Sequence, residues 1–200
     1  TENFAVFGEV DIAADRILPG LTVTLGARYD FEKFRSAGRS VTTGIPIPPA
    51  IIDTTGDFDA FLPNASLRYT ISDTQFVAFT VQRGYRAGGV SFNEFAAGTG
   101  ANAASDFAPE FATNFELAYR GAFYEDRLRV SANACYTRWS DQQVTQQGRV
   151  SGDPNNTLDR DVINAGESEL YGLEFGIEGE PTANLTLFGS LAYVETRFLD

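Results

Sequence analysis

The stretch LTVTLGARYDFE, residues 21–32, alternates without a break. Leu21, Val23, Leu25, Ala27, Tyr29 and Phe31 fall on one face, and Thr22, Thr24, Gly26, Arg28, Asp30 and Glu32 on the other. Successive side chains of a strand point to opposite sides, so one wholly apolar face at period two predicts a β-strand with one apolar surface. Its length matches the roughly 9–11 residues with which a tilted strand crosses a bilayer.

The same alternation recurs over 4–12, 61–69, 75–85, 111–123, 128–136, 171–178 and 185–193, about eight strands in all. Between them the connections alternate in length. Short ones lie near 15–20, 72–74, 125–126 and 180–184; long ones run over about 35–57, 87–109 and 140–164. Short turns at one end and long loops at the other are the form of an outer-membrane barrel, turns toward the periplasm and loops outside. The fold class expected is all-β: an antiparallel up-and-down transmembrane β-barrel segment, with residues 1–200 as a partial barrel domain.

Composition narrows the function. With 43% hydrophobic residues the chain has enough apolar material for one domain. Fifteen Lys and Arg against 27 Asp and Glu give a net charge of −12, which repels a phosphate backbone and excludes nucleic acid as a partner. No run approaches the ~20 apolar residues of a spanning helix. Histidine is absent, which removes Ser-His-Asp and Cys-His machinery and zinc helices of the HExxH type. A hydrolase would have to rest on paired carboxylates or on Lys33, the only lysine; an enzyme is not expected. Met is also absent and the chain starts at Thr1, so a segment of a longer protein is expected. Cys135 has no partner for a disulfide within the chain.

Aromatic residues cluster at strand ends on the apolar face: Tyr29, Phe31, Tyr69, Tyr85, Phe123, Tyr136, Tyr171 and Tyr193. In a barrel they form the girdles at headgroup level; in a soluble sheet they would fill a core. By parity the opposite face carries Glu9, Asp11, Arg28, Asp30, Glu32, Arg68, Arg86, Glu116, Arg120, Arg129, Glu174 and Glu178. Together these describe a wet lumen, each residue being one member of a solvated wall of ion pairs. GYRAGG, residues 84–89, lacks the Gly-Lys-Ser/Thr of a phosphate loop and reads as a strand leaving the sheet through glycines. DPNNTLDRD, residues 153–161, is rich in oxygen ligands, but Leu158 and Asn164 stand where an EF-hand needs Gly and Glu. It reads as an ordinary solvated loop, and no metal or cofactor is implied.

Several blocks resemble one family in order. FGEVD (7–11) with LTVTLGARYDFEK (21–33) is similar to paired strands of TonB-dependent receptor barrels, and GYRAGG followed by PEFATNFELAYRGAF (109–123) resembles later signals of that family. RLRVSANACYTRWSDQQV (127–144) and NAGESELYGLEFGIEGEP (164–181) look like its succeeding strands. The resemblance implies a bacterial outer-membrane barrel of 22 strands, seated in outer-membrane lipid and plugged by an N-terminal domain that is absent from these residues. It also implies import of a scarce ligand, by default a ferric siderophore or similar small-molecule chelate, driven by the TonB-ExbB-ExbD complex through that plug. Arg86, at the root of the second long loop, and Arg149 and Arg160 in the third are the candidate ligand-binding residues, because a guanidinium suits an anionic chelate. The alternative is a complete small barrel of eight strands acting as an anchor or adhesin.

Overall fold

The computed structural model describes residues 1–40, 50–99 and 103–199. In chain order its elements are β1 (Glu2–Ala13), β2 (Leu21–Ser40), β3 (Ala50–Ser72), β4 (Gln75–Arg86), β5 (Gly89–Phe92), α1 (Glu94–Thr99), β6 (Ala104–Phe107), β7 (Glu110–Phe123), β8 (Leu128–Ser140), β9 (Gln143–Gln147), β10 (Arg160–Asn164), β11 (Glu167–Thr182) and β12 (Leu185–Leu199). Eight of the strands form one antiparallel up-and-down sheet in the order β1-β2-β3-β4-β7-β8-β11-β12. Among the described residues β1 and β12 are its two edges, so these eight strands do not close on themselves as the small-barrel alternative requires.

Register turns the alternation of single strands into two continuous surfaces. One row runs across all eight: Ile12, Val23, Leu67, Phe79, Leu117, Ala134, Leu173 and Tyr193. The next row, one residue along, is Asp11, Thr24, Ser66, Thr80, Glu116, Cys135, Gly172 and Val194. Residues directly opposite in an antiparallel pair share a face. The first row is therefore an unbroken apolar strip, and the second lies wholly on the other face, where Val194 is its one large apolar side chain.

The apolar face is exposed. Leu117 keeps 50% of its surface and Leu173 58%, whereas among the described residues the buried hydrophobic ones are only Ala14, Ala60 and Ala96. Among the described residues the largest fully buried side chains are Asn93, Asp30 and Asp159, all polar. A wall with its apolar side chains outside and its polar ones packed inside is built for lipid on the outer face.

That outer face has a sharp upper limit. Phe115, Tyr136 and Tyr171 stack along neighbouring strands, with ring centroids 6.0 and 5.1 Å apart. One outward position above them stand Arg83, Thr113, Arg138, Glu169 and Arg197 on five adjacent strands. Glu167 accepts from Arg138 at 2.5 Å, Arg197 pairs with Glu169, and the Tyr136 hydroxyl donates to Glu169 at 3.0 Å. Rings below and charges above are the order expected at a headgroup layer. From Tyr171 to Pro181 the outward positions of β11 carry no charge. That span is roughly 33 Å along the strand, or about 25 Å in height once the strand tilts as barrel strands do.

Three expectations need correction. The first long connection, expected over 35–57, is mostly strand: β2 and β3 stay paired from Lys33↔Asp57 to Ser40↔Ala50, leaving 41–49 outside the described residues. Its outward side is ionic, with Arg35 gripping Asp53 through two bonds of 2.8 Å, so apolar periodicity gives no sign of it. The other two long connections are not bare loops either, since they contain β5, α1 and β6, and β9 and β10. Tyr85 leaves the outer girdle. Pairing of β3 with β4 stops at Asn64↔Gln82 while β4 with β7 continues to Arg86↔Glu110, and above that point Tyr85 packs edge-on against Phe58, 6.5 Å away.

Leu173→Arg, in the middle of the apolar strip, is expected to destabilise the protein refolded in lipid vesicles by about 2–4 kcal/mol. Glu174→Gln, on the other face, is expected to change it by less than about 0.5 kcal/mol. Urea unfolding in vesicles measures both, and equal effects would reverse the assignment of faces.

Candidate functional site

Polar side chains dock the second and third long connections onto each other at the end of the sheet opposite the short turns. Asn93 precedes α1 and caps it, its Oδ1 accepting the Ala96 N–H at 2.9 Å, the usual use of Asn before a first helical turn. With the oxygen so engaged, the amide nitrogen points at the other connection and donates to Asp159 at 2.7 Å and to Asp161 at 3.0 Å. Asn93 is 1% exposed, Asp159 0% and Asp161 5%.

Asp159 is a buried carboxylate to which no cation is paired among the described residues. Its second oxygen accepts the Val150 N–H at 2.9 Å, the Ser151 N–H at 2.6 Å and the Ser151 hydroxyl at 2.6 Å. Burial pushes its pKa up, but the donors from Ser151, Asn93 and the Val150 backbone outweigh this and hold it at about 2. Gly148 makes the turn possible. Its φ is +75°, and a Cβ there would meet the Asp153 carbonyl oxygen at 2.7 Å. Asp161 accepts from the Ser105 hydroxyl at 3.2 Å, and Ser91 accepts the Val162 N–H at 2.9 Å.

The roots of the two connections are tied as well. Gln143 donates to the carbonyls of Ala87 at 2.8 Å and Ala108 at 3.1 Å. Asn164 accepts the Ala108 N–H at 2.6 Å and donates back to the Ala108 carbonyl at 2.8 Å.

The three arginines named from sequence sit on this assembly. Arg86 ends β4, 3.8 Å from Glu110, whose other oxygen accepts the Gln143 N–H at 2.6 Å. Arg149 lies in the turn between β9 and β10, half exposed and 3.9 Å from Asp161. Arg160 opens β10 opposite Gln147 and is exposed, with no carboxylate paired to it among the described residues. Arg149 and Arg160 thus share a hairpin, and Arg86 stands at its root. The reading of 153–161 as an ordinary solvated loop holds for its exposed part around Asp153 and Asn155 but not for Asp159 and Asp161, which are buried. Asp-x-Asp at the start of a strand puts two carboxylates on one side; what they meet there is fixed by Asn93, 66 residues earlier than Asp159, and no local signal shows it. Among the described residues no group of three His, Cys, Asp or Glu is placed to hold a metal ion.

Comparison with known proteins places this architecture. A family model described as TonB dependent receptor-like, beta-barrel, matches residues 1–200. Among solved structures, the ferric yersiniabactin uptake receptor FyuA from Yersinia pestis aligns with a TM-score of 0.76 at 18% identity, over 98% of this chain and 27% of that one. The copper transporter OprC aligns at 0.72 and 14% identity, over 98% and 29%. The ferric-catecholate import receptor Fiu from E. coli K12 aligns at 0.67 and 16%, over 99% and 28%. The chain therefore spans little more than a quarter of the length of each.

The low pKa of Asp159 gives the docking a pH dependence of definite sign. The carboxylate titrates near 3.8 when free and at about 2 when docked, so its contribution is complete above the higher value and is lost as pH falls toward the lower one. Cleavage of the third connection by pepsin, normalised to an unstructured peptide, is expected to rise between these limits. Asp159→Asn is expected to be cleaved readily at every pH in that window; a variant as resistant as the parent at the upper end contradicts the assignment.

Proposed function

The chain belongs to the TonB-dependent receptor β-barrel family, and from that premise we propose that it forms part of the wall and outer face of a receptor importing a ferric siderophore or similar metal chelate. The full-length protein sits in the lipid of the bacterial outer membrane, and a plug domain links it to the TonB-ExbB-ExbD complex. Its role is transport rather than catalysis. Support comes from neighbours that are receptors for ferric yersiniabactin and ferric catecholate and a transporter of copper. The observation that carries the proposal is the pairing of an apolar outer wall with a structured, cation-bearing platform at the long-connection end.

Arg160, Arg149 and Arg86 are the contacts proposed for an anionic chelate, and their surroundings rank them. Arg160 is exposed and, among the described residues, unpaired with acid, so its guanidinium is free to meet an anion. Arg149 must be drawn from Asp161 at 3.9 Å, and Arg86 from Glu110 at 3.8 Å. A charged hydrogen bond contributes about 1.5 kcal/mol or more, which is about tenfold in affinity.

The test is binding of radio-iron-loaded ferric yersiniabactin, a ferric catecholate and ferric alcaligin, with Cu(II) as a fourth probe, to cells carrying the full-length protein. For whichever probe binds, Arg160→Ala is expected to weaken binding about tenfold and Arg86→Ala by less. Binding of a probe with no change in Arg160→Ala would remove the arginines from the proposal; retention of none would remove the chelate.

A further inference from the structure

We propose that Asn93 is a latch that makes the second and third long connections move as one body. This goes beyond the proposed function and stands whether or not the platform meets a chelate. The two connections are separate in sequence and belong to different strand pairs, so nothing in the chain path requires them to move together. What joins them is a set of polar contacts at two levels.

At the root, Gln143 and Asn164 bond the carbonyls of Ala87 and Ala108. At the tip, the Asn93 amide reaches Asp159 and Asp161, and the Phe95 N–H donates to the Leu158 carbonyl at 3.0 Å. The Asn93 contacts at the tip are buried and the root contacts lie beside the sheet, so the root acts as a fixed seat and the tip decides whether the connections part.

Parting them is costly in a specific way. Asn93 leaving its place uncovers two carboxylates that have been removed from water, and it also removes the cap of α1, since one amide serves both. Buried polar groups that lose a partner are penalised more than exposed ones. Opening is therefore cooperative: the cap, the carboxylates and the turn at Val150 and Ser151 are released together or not at all. The latch also governs the charge shown outward by Arg149, because Asp161 is held beside it only while Asn93 and Ser105 bind that carboxylate.

Hydrogen exchange of the full-length protein in lipid discs reads the latch directly. Asn93 makes no bond to the amides of Val150 and Ser151, and Asp159 makes none to the amide of Ala96. Asn93→Ala is expected to speed exchange at Val150 and Ser151 at least tenfold, and Asp159→Ala to do the same at Ala96 and Ala97, with β7 and β8 unchanged. Asn155→Ala, at an exposed position of the third connection, is expected to leave 93–97 as in the parent. If each latch variant loosens only its own connection, the two move independently and the proposal falls. Should either variant fail to fold, judged by loss of heat-modifiable migration, Ser105→Ala and Ser91→Ala each cut one cross-contact and are read at the same amides; unchanged exchange across the gap then overturns it as well.

Discussion

Register is the constraint on which the rest depends. A slip of one residue in any strand pair moves its apolar set to the other face, so an eight-strand lipid surface exists only if seven pairings stay in step. Across the height of the apolar band they do. The two register shifts in the pairing of the described strands, between Thr70 and Ser72 and between Gly179 and Thr182, lie beside short turns, at the lower rim of the band, where few outward positions remain to change face. The irregularity is confined to where it costs little.

With the apolar side chains outside, cohesion of the inner face is a matter of polar fit. Arg28 grips Asp30 through bonds of 2.6 and 2.7 Å, and Asp30 is 1% exposed. Asn64 reaches across Gly26 to donate to Glu9 at 3.2 Å, over a position where a Cβ would collide with its amide. Arg129 pairs with Glu178 at 3.3 Å, and Arg68 lies over the Phe76 ring, 4.0 Å from its centroid. Buried polar groups are tolerated when they are bonded, and this wall meets them with partners on the same strand, on the adjacent strand and, for Asn64 and Glu9, two strands away. A chain that is 43% hydrophobic thus has almost no apolar core, because its hydrophobic residues serve the other surface.

All eight strands of the sheet were legible from alternation, since each has a face that lipid requires to be apolar. The paired extension above Lys33 and Asp57 was not: beyond the bilayer neither face is selected for hydrophobicity, and a strand held by Arg35 and Asp53 looks like a loop. Tyr85 was misplaced for a related reason, as parity assumes that each strand keeps its neighbour, and β4 parts from β3 near its upper end. At the candidate site, the arginines could be proposed from chemistry alone. Asn93, Asp159 and Asp161 were not, because an Asn before a short helix and an Asp-x-Asp are ordinary surface features until the fold brings them together.

The rule that builds the wall also builds the platform. Asp159, Arg160 and Asp161 are consecutive, and extended backbone turns the middle residue away from its neighbours. Two carboxylates consequently face inward to the donors of the second connection, while the guanidinium between them faces water. Had the order been Arg-Asp-Arg, two cations would be buried against an amide and serines, and the one exposed group would be acidic. An Asn is suited to the inward side because its amide donates without adding charge, so the carboxylates are satisfied while Arg160 has no carboxylate paired to it among the described residues. Burying the acids is thus what leaves the base without a direct partner: the oxygens of Asp159 and Asp161 that could pair with Arg160 are engaged instead by Asn93, Ser105, Ser151 and the backbone of the turn.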